Sequence, residues 1–373
     1  MVYREFKDKK LSGLGFGCMR LPVIDGKDEN VDKAQVEEMV AYAMEKGINY
    51  YDTAWGYHSG NSELVMGEVL SEYPRDKFYL ATKFPGYDVN NMSKVEEIFE
   101  KQLEKCRVEY FDFYLFHNVS ERNINEYLDE KFGIMEYLKK QKENGRIKHL
   151  GFSCHGNFDT MKRFLDAYGQ YMEFCQIQLN WLDYDYQDAK LKVELLNELN
   201  IPIWVMEPLR GGKLAKLPQQ FSDRLKELRP EASDVEWSFR YLQSFENLPV
   251  VLSGMSDLDQ LKDNIAIFEE EKPLSVKETY TLYDIAKELT NTVPCTACRY
   301  CTAHCPMGLD IPEIIKIYNE FLFTGMNFMI KGAVDALGDK GPQACIGCQA
   351  CEALCPQNIR ISEIMADFAE KLK

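Results

Sequence analysis

The chain has 373 residues, 45% hydrophobic and 28% charged, with a formal net charge of −16. That is ordinary for a globular protein and leaves enough apolar material for one large core and a smaller unit. A chain this acidic gains nothing from the counterion release that drives nucleic-acid binding, and anionic lipid repels it. No apolar run reaches membrane-spanning length, and the start, Met1-Val2-Tyr3-Arg4, lacks the apolar core of a signal peptide, so neither nucleic acid nor membrane is expected as a partner and the expected location is cytoplasmic.

Short apolar runs alternate with longer amphipathic stretches along the first 270 residues. The predicted strands are Gly13–Cys18, Ile48–Asp52, Phe78–Lys83, Phe111–His117, Ile147–Cys154, Phe174–Asn180, Ile203–Met206 and Pro249–Gly254, each ending at a polar or Gly position. Between them, Val31–Lys46 carries apolar residues at helical spacing. Lys94–Cys106, Glu126–Asn144, Phe158–Tyr168, Asp188–Leu199, Asp234–Phe245 and Leu258–Phe268 read the same way. Eight strands alternating with helices predict an α/β fold, a (β/α)8 TIM barrel over residues 1–270. A doubly wound sheet would need a Gly-rich turn leading into a helix. Here Gly13-Leu14-Gly15-Phe16-Gly17 lies within the first strand and Met19-Arg20-Leu21-Pro22 follows it, so these glycines read as a strand with close neighbours.

After the polar segment Glu269–Pro273 comes a helical linker, 271–290, and then a second domain, 291–373. Eight of the twelve cysteines lie there in two C-x2-C-x2-C-x3-C-P runs: Cys295, Cys298, Cys301, Cys305 and Cys345, Cys348, Cys351, Cys355. Structural zinc takes two separated ligand pairs. Two quadruple runs, each followed by Pro, predict two 4Fe–4S clusters, with the fourth cysteine of each run ligating the other cluster. The expected sets are Cys295, Cys298, Cys301 with Cys355, and Cys345, Cys348, Cys351 with Cys305. Pro312–Phe323 and Phe328–Leu337 read as helices between the runs. The domain therefore resembles the mostly helical two-cluster ferredoxin domains of multi-subunit redox enzymes.

Barrel active sites form at the C-terminal ends of strands. Asp52, Lys83 and His117 end the second, third and fourth strands, and Tyr57 follows Asp52 in the loop. On these four residues the sequence resembles the aldo–keto reductase superfamily, and with the cluster domain its iron–sulfur-bearing branch. The resemblance implies a small carbonyl or alcohol substrate and NAD(P)(H). A free phenol is too weak an acid for neutral pH, and a nearby ammonium lowers its pKa. Tyr57 is thus expected as the general acid or base, Lys83 as its tuner, Asp52 as the partner of Lys83, and His117 as a substrate-orienting group.

The resemblance further assigns Ser153 and Gln176 to the nicotinamide carboxamide, with Cys154 where the family commonly has Asn and Met206 where an aromatic often stacks. It assigns Ser253, Gly254 and Ser256 to a phosphate-binding turn and Asn264 to the adenine. Arg210 is expected either to meet the pyrophosphate or the substrate, or to be a solvated surface residue. Lys262 is the only base near the turn, which weakens the expectation of a 2′-phosphate. A hydride moves two electrons and each cluster takes one, so a group that splits the pair, typically a flavin, is called for, although the sequence shows no flavin fingerprint; a ferredoxin or flavoprotein is the candidate electron partner. The alternatives are a nicotinamide-independent one-electron enzyme, and an electron-transfer subunit that uses the barrel as a scaffold.

Overall fold

The computed structural model describes residues 1–290, 293–295 and 297–373, so the expected start of the second domain at 291 lies outside the described residues. The chain divides into two units, Met1–Leu282 and Tyr283–Lys373.

The first unit opens with an antiparallel hairpin, β1 (Tyr3–Phe6) and β2 (Lys9–Ser12). Among the described residues, eight parallel strands then close into a barrel: β3 (Leu14–Gly17), β4 (Tyr50–Asp52), β5 (Tyr79–Phe84), β6 (Phe111–Val119), β7 (Ile147–Cys154), β8 (Cys175–Gln178), β9 (Ile203–Met206) and β10 (Val250–Gly254). Each pairs with its sequence neighbours, and β10 returns to β3. These are the eight predicted strands. Gly15 is needed where β10 meets β3, because a Cβ there would lie 2.7 Å from the Leu252 side chain and 2.8 Å from that of Val250.

The helices around the barrel are α1 (Lys33–Glu45), α2 (Ser62–Leu70), α3 (Val95–Cys106), α4 (Ile124–Tyr127), α5 (Ile134–Glu143), α6 (Phe158–Tyr168), α7 (Asp183–Tyr186), α8 (Ala189–Glu198), α9 (Gln219–Lys226), α10 (Asp234–Gln243) and α11 (Leu258–Ile267). Two departures from the sequence reading have clear causes. The single helix expected over Glu126–Asn144 is broken into α4, a 3-10 turn and α5, because Gly133 takes a left-handed conformation (φ 61°) between them. Helix α2 escaped notice because its buried face includes Ser62 and Glu63, which hide the apolar stripe. It lies so close to the end of α3 that a Cβ on Gly67 would sit 2.1 Å from the Lys105 carbonyl oxygen.

The hairpin was not expected either. It closes the N-terminal end of the barrel with Phe6, whose ring meets His149 and Trp204 at 5.0 Å and Phe113 at 5.6 Å between centroids. Phe6, Leu11, Tyr50, Phe113, Phe174 and Trp204 belong to one buried cluster that fills this end. Helix α12 (Val276–Leu289) spans the division between the units.

In the second unit, α13 (Ile311–Thr324), α14 (Phe328–Leu337) and α15 (Ile361–Lys371) pack around Ile314, Ile315, Tyr318, Met365 and Phe368. Asp310 caps α13 by accepting a hydrogen bond from the Glu313 amide. The two cysteine runs precede α13 and α15, each containing a short 3-10 turn, Thr302–His304 and Glu352–Leu354.

Because Phe6 is 3% exposed and cannot be replaced by neighbouring side chains, Phe6→Ala is expected to destabilise the barrel by about 3–5 kcal/mol. In urea denaturation the midpoint of barrel unfolding should fall while its slope is retained.

Candidate functional site

Strands β4, β5 and β6 bring Asp52, Lys83 and His117 to the C-terminal end of the barrel. Lys83 is fully buried and Asp52 is 3% exposed. The Lys83 ammonium donates to Asp52 Oδ1 at 2.6 Å, to the Thr53 carbonyl at 2.7 Å and to the Tyr57 hydroxyl at 3.5 Å. An ammonium taken out of water without such partners would be neutralised or would unfold its surroundings. The His117 ring stands edge to face with Tyr57 at 5.9 Å and with Tyr87 at 5.2 Å. Its Nδ1 is buried without a hydrogen-bond partner. All four sequence-predicted residues are therefore neighbours.

Their charge states follow from burial and from one another. Burial works against the Lys83 charge, but Asp52 and Tyr57 outweigh it and hold the ammonium charged. The Tyr57 phenol was expected to be pulled below its usual value by Lys83. Burial is the larger effect, so the phenol stands above that value despite the pull of Lys83, and Tyr57 holds its proton. Burial, then the charge of Lys83, pushes His117 well below the usual imidazole range and keeps it neutral.

The loop after β4 is fixed from outside. His58 and Ser59 adopt left-handed conformations, φ 52° and 55°. His58 Nε2 accepts the Leu21 amide hydrogen at 3.0 Å, which leaves Nδ1 to donate to the Asp28 carbonyl at 2.9 Å. His58 thus ties the Tyr57 loop to the loop after β3. Among the described residues, no three His, Cys, Asp or Glu side chains form a single-ion site.

Sequence reasoning missed the support behind Lys83. Glu63, fully buried, accepts from Thr82 Oγ1, Gln102 Nε2 and Lys105 Nζ, each at 2.7 Å. Gln102 Nε2 also reaches the Lys83 carbonyl at 3.0 Å, and Tyr114 donates to Gln102 Oε1 at 2.6 Å. The carboxylate, amide and ammonium come from α2 and α3, and only their meeting in space reveals the network.

Of the residues assigned to the nucleotide, Ser153, Gln176, Met206, Ser253 and Gly254 lie on β7 to β10, Arg210 in a 3-10 turn after β9, Ser256 in the loop before α11, and Asn264 within α11. Ser153 Oγ accepts from the Asn118 amide at 2.8 Å. Gln176 Nε2 lies 3.7 Å from Met206 Sδ. Asn264 Nδ2 donates to Ser253 Oγ at 3.1 Å, and Ser256 Oγ donates to the Arg20 carbonyl at 3.0 Å. Gly254 is exposed, and a Cβ there would lie 3.1 Å from the aliphatic stem of Arg20. Arg210 is neither exposed nor uncompensated. It is 7% exposed, and its Nε donates to Asp183 at 2.9 and 3.1 Å. Asp183 also accepts from Gln178 and Asn180. An exposed guanidinium is found instead at Arg20, whose Nη2 would lie 3.4 Å from a Cβ on Gly211.

In the second unit, one cavity is lined by Cys305, Cys345, Cys348 and Cys351, and another by Cys295, Cys298, Cys301 and Cys355. Each draws three cysteines from one run and the fourth from the other. Around them the walls are largely apolar, including Leu309, Ile346 and Met365 in the first and Ile315 and Ile359 in the second. Four thiols around one largely apolar cavity form a donor set that fits a 4Fe–4S cube.

Residues 13–288 match the aldo/keto reductase family. The chain belongs to that family. Residues 294–359 match the 4Fe-4S dicluster domain, so this is an oxidoreductase of aldo/keto reductase type with a ferredoxin-type domain. It is 30% identical over 211 residues to probable aldo-keto reductase 1 of Glycine max, covering 54% of this chain and 57% of that protein. It is 25% identical over 314 residues to the uncharacterized oxidoreductase YqkF of Bacillus subtilis (strain 168), covering 75% of this chain and 96% of that one. An aldo-keto reductase from Klebsiella pneumoniae, solved in complex with NADPH, shares the fold, with a TM-score of 0.60 at 16% identity over 77% of this chain and 96% of that one. Among the described residues no helix is long and apolar enough to cross a membrane.

The depressed pKa of His117 has a measurable consequence. The native imidazole declines a proton that the unfolded chain accepts below the usual value of 6.5, so this group removes stability as the pH falls through that value. Imidazole NMR is expected to show no His117 titration between about pH 6 and 8, where an ordinary histidine titrates. His117→Gln should flatten the acid side of the stability curve.

Proposed function

We propose that the barrel moves a hydride between NADH or NADPH and a small carbonyl or alcohol, with Tyr57 handling the proton. The observation that carries this reading is the Lys83 ammonium, buried between the Asp52 carboxylate and the Tyr57 hydroxyl. A bound nicotinamide supplies the hydride in reduction and accepts it in oxidation. As negative charge builds on the carbonyl oxygen, Tyr57 gives up its hydroxyl proton to it. Lys83 stabilises the phenolate left behind, and Asp52 keeps Lys83 charged and in place. His117, neutral, donates a hydrogen bond to the same oxygen and fixes the carbonyl in the mouth. The complex of the Klebsiella relative with NADPH supports the cofactor class.

The eight cysteines of the second unit would hold two 4Fe–4S clusters in the crossed arrangement that their cavities suggest. Bound clusters accept and release single electrons, which suits exchange with a ferredoxin or flavoprotein.

Anaerobically purified protein is expected to oxidise NADH or NADPH with a simple aldehyde. Tyr57→Phe should lower kcat/KM by roughly 10²–10⁴-fold while the dissociation constant for the nucleotide stays unchanged. An equally active Tyr57→Phe protein would sink the assignment. For the clusters, the wild type should hold about eight irons per chain. A Cys301→Ala, Cys355→Ala double variant should keep about four, since both changes strike one cluster. A Cys301→Ala, Cys305→Ala double variant should lose both clusters, and the reverse pattern would argue against crossing.

A further inference from the structure

The Tyr57 hydroxyl is held loosely. It meets the Lys83 ammonium at 3.5 Å, the long end of a hydrogen bond, and the Tyr57 ring stands 5.9 Å from that of His117. The spacing of phenol and ammonium is therefore set by the loop that carries Tyr57 between β4 and α2. On one side of Tyr57 that loop is tied by His58, through the Leu21 amide and the Asp28 carbonyl. On the other side stands Trp55.

The half-buried Trp55 ring lies against the Lys105 ammonium of α3, with Nζ 4.6 Å from the ring centroid. The same Nζ nears the loop again at Gly60, where a Cβ would stand 4.0 Å away. An ammonium over an indole face is attracted by the ring, more strongly as water is excluded, and the Lys105 side chain is only 17% exposed. Lys105 also donates to Glu63 Oε2 at 2.7 Å. The other Glu63 oxygen accepts from Thr82 and from Gln102, and Gln102 reaches the Lys83 carbonyl. One unbroken set of contacts thus joins the loop of the phenol to the strand of the ammonium.

Neutralising the buried Glu63 would require a cation near the carboxylate, but not one seated on Trp55. We infer that Lys105 is a positioning residue for proton transfer: through Trp55 it holds the Tyr57 loop, through Glu63 it holds the end of β5, and it so fixes the distance between phenol and ammonium. This inference rests on the reading of Tyr57 as proton donor given above. A small displacement of a reacting group slows the chemical step far more than it weakens binding.

The test is anaerobic, on the cluster-loaded protein, with NADH or NADPH and a simple aldehyde. Trp55→Leu removes the ring. It should lower kcat by about three- to thirtyfold, with KM for the aldehyde and the calorimetric dissociation constant of the nucleotide near wild type. Lys105→Arg keeps a cation able to stack and to pair, and should retain most of kcat. A Glu63→Gln, Lys105→Met pair removes the cation without leaving a bare carboxylate. In that background Trp55→Leu should cost nothing further, because both changes strike one contact. A wild-type kcat in Trp55→Leu, or an equal loss in both backgrounds, overturns the clamp while leaving the Tyr57 chemistry intact. Should Trp55→Leu not fold, the pair is compared with Glu63→Gln alone: a lower kcat in the pair supports the clamp, and equal values overturn it. If Tyr57→Phe is as active as the wild type, the proton-donor reading itself fails and takes the clamp with it.

Discussion

Everything at the mouth of the barrel is arranged around one buried positive charge. Lys83 carries it on β5, where water cannot stabilise it, and the fold must stabilise it instead. Asp52 answers it in front. Behind it, Gln102 grips the Lys83 carbonyl while Glu63 collects Thr82, Gln102 and Lys105. The strand end is therefore pinned by side chains from two helices as well as by its ladder. A phenol placed against such a charge holds its proton at rest yet can release it to a neighbouring oxygen. That combination needs both the burial and the ion pair, and neither alone would produce it.

The barrel was legible because each strand is a short apolar run with a polar end, a pattern that survives even where a neighbour packs closely. That Asp52, Tyr57, Lys83 and His117 would be neighbours was legible for a related reason: three of them lie toward the C-terminal ends of successive strands and Tyr57 in the loop after the first, where sequence order and spatial order coincide. What stayed hidden depends on contacts between distant segments. Glu63 and Gln102 look like ordinary helix residues until α2 and α3 meet. Phe6 belongs to a hairpin too short to show a strand pattern of its own. Arg210 and Arg20 could not be ranked by sequence, because their difference is whether a carboxylate, Asp183, lies within reach.

The direction of the Tyr57 shift was also out of reach. A nearby ammonium and a loss of solvent pull a phenol in opposite directions, and only coordinates say which is larger.

The two cysteine cavities of the second unit share their walls across a long stretch of chain, since each needs residues from both 295–305 and 345–355. Neither cavity is complete while only the first run has been synthesised. On the crossed arrangement proposed above, iron capture would therefore be a late and joint event in the life of the polypeptide: a chain halted between the runs would have no finished nest for metal, and a finished chain would acquire both nests at once.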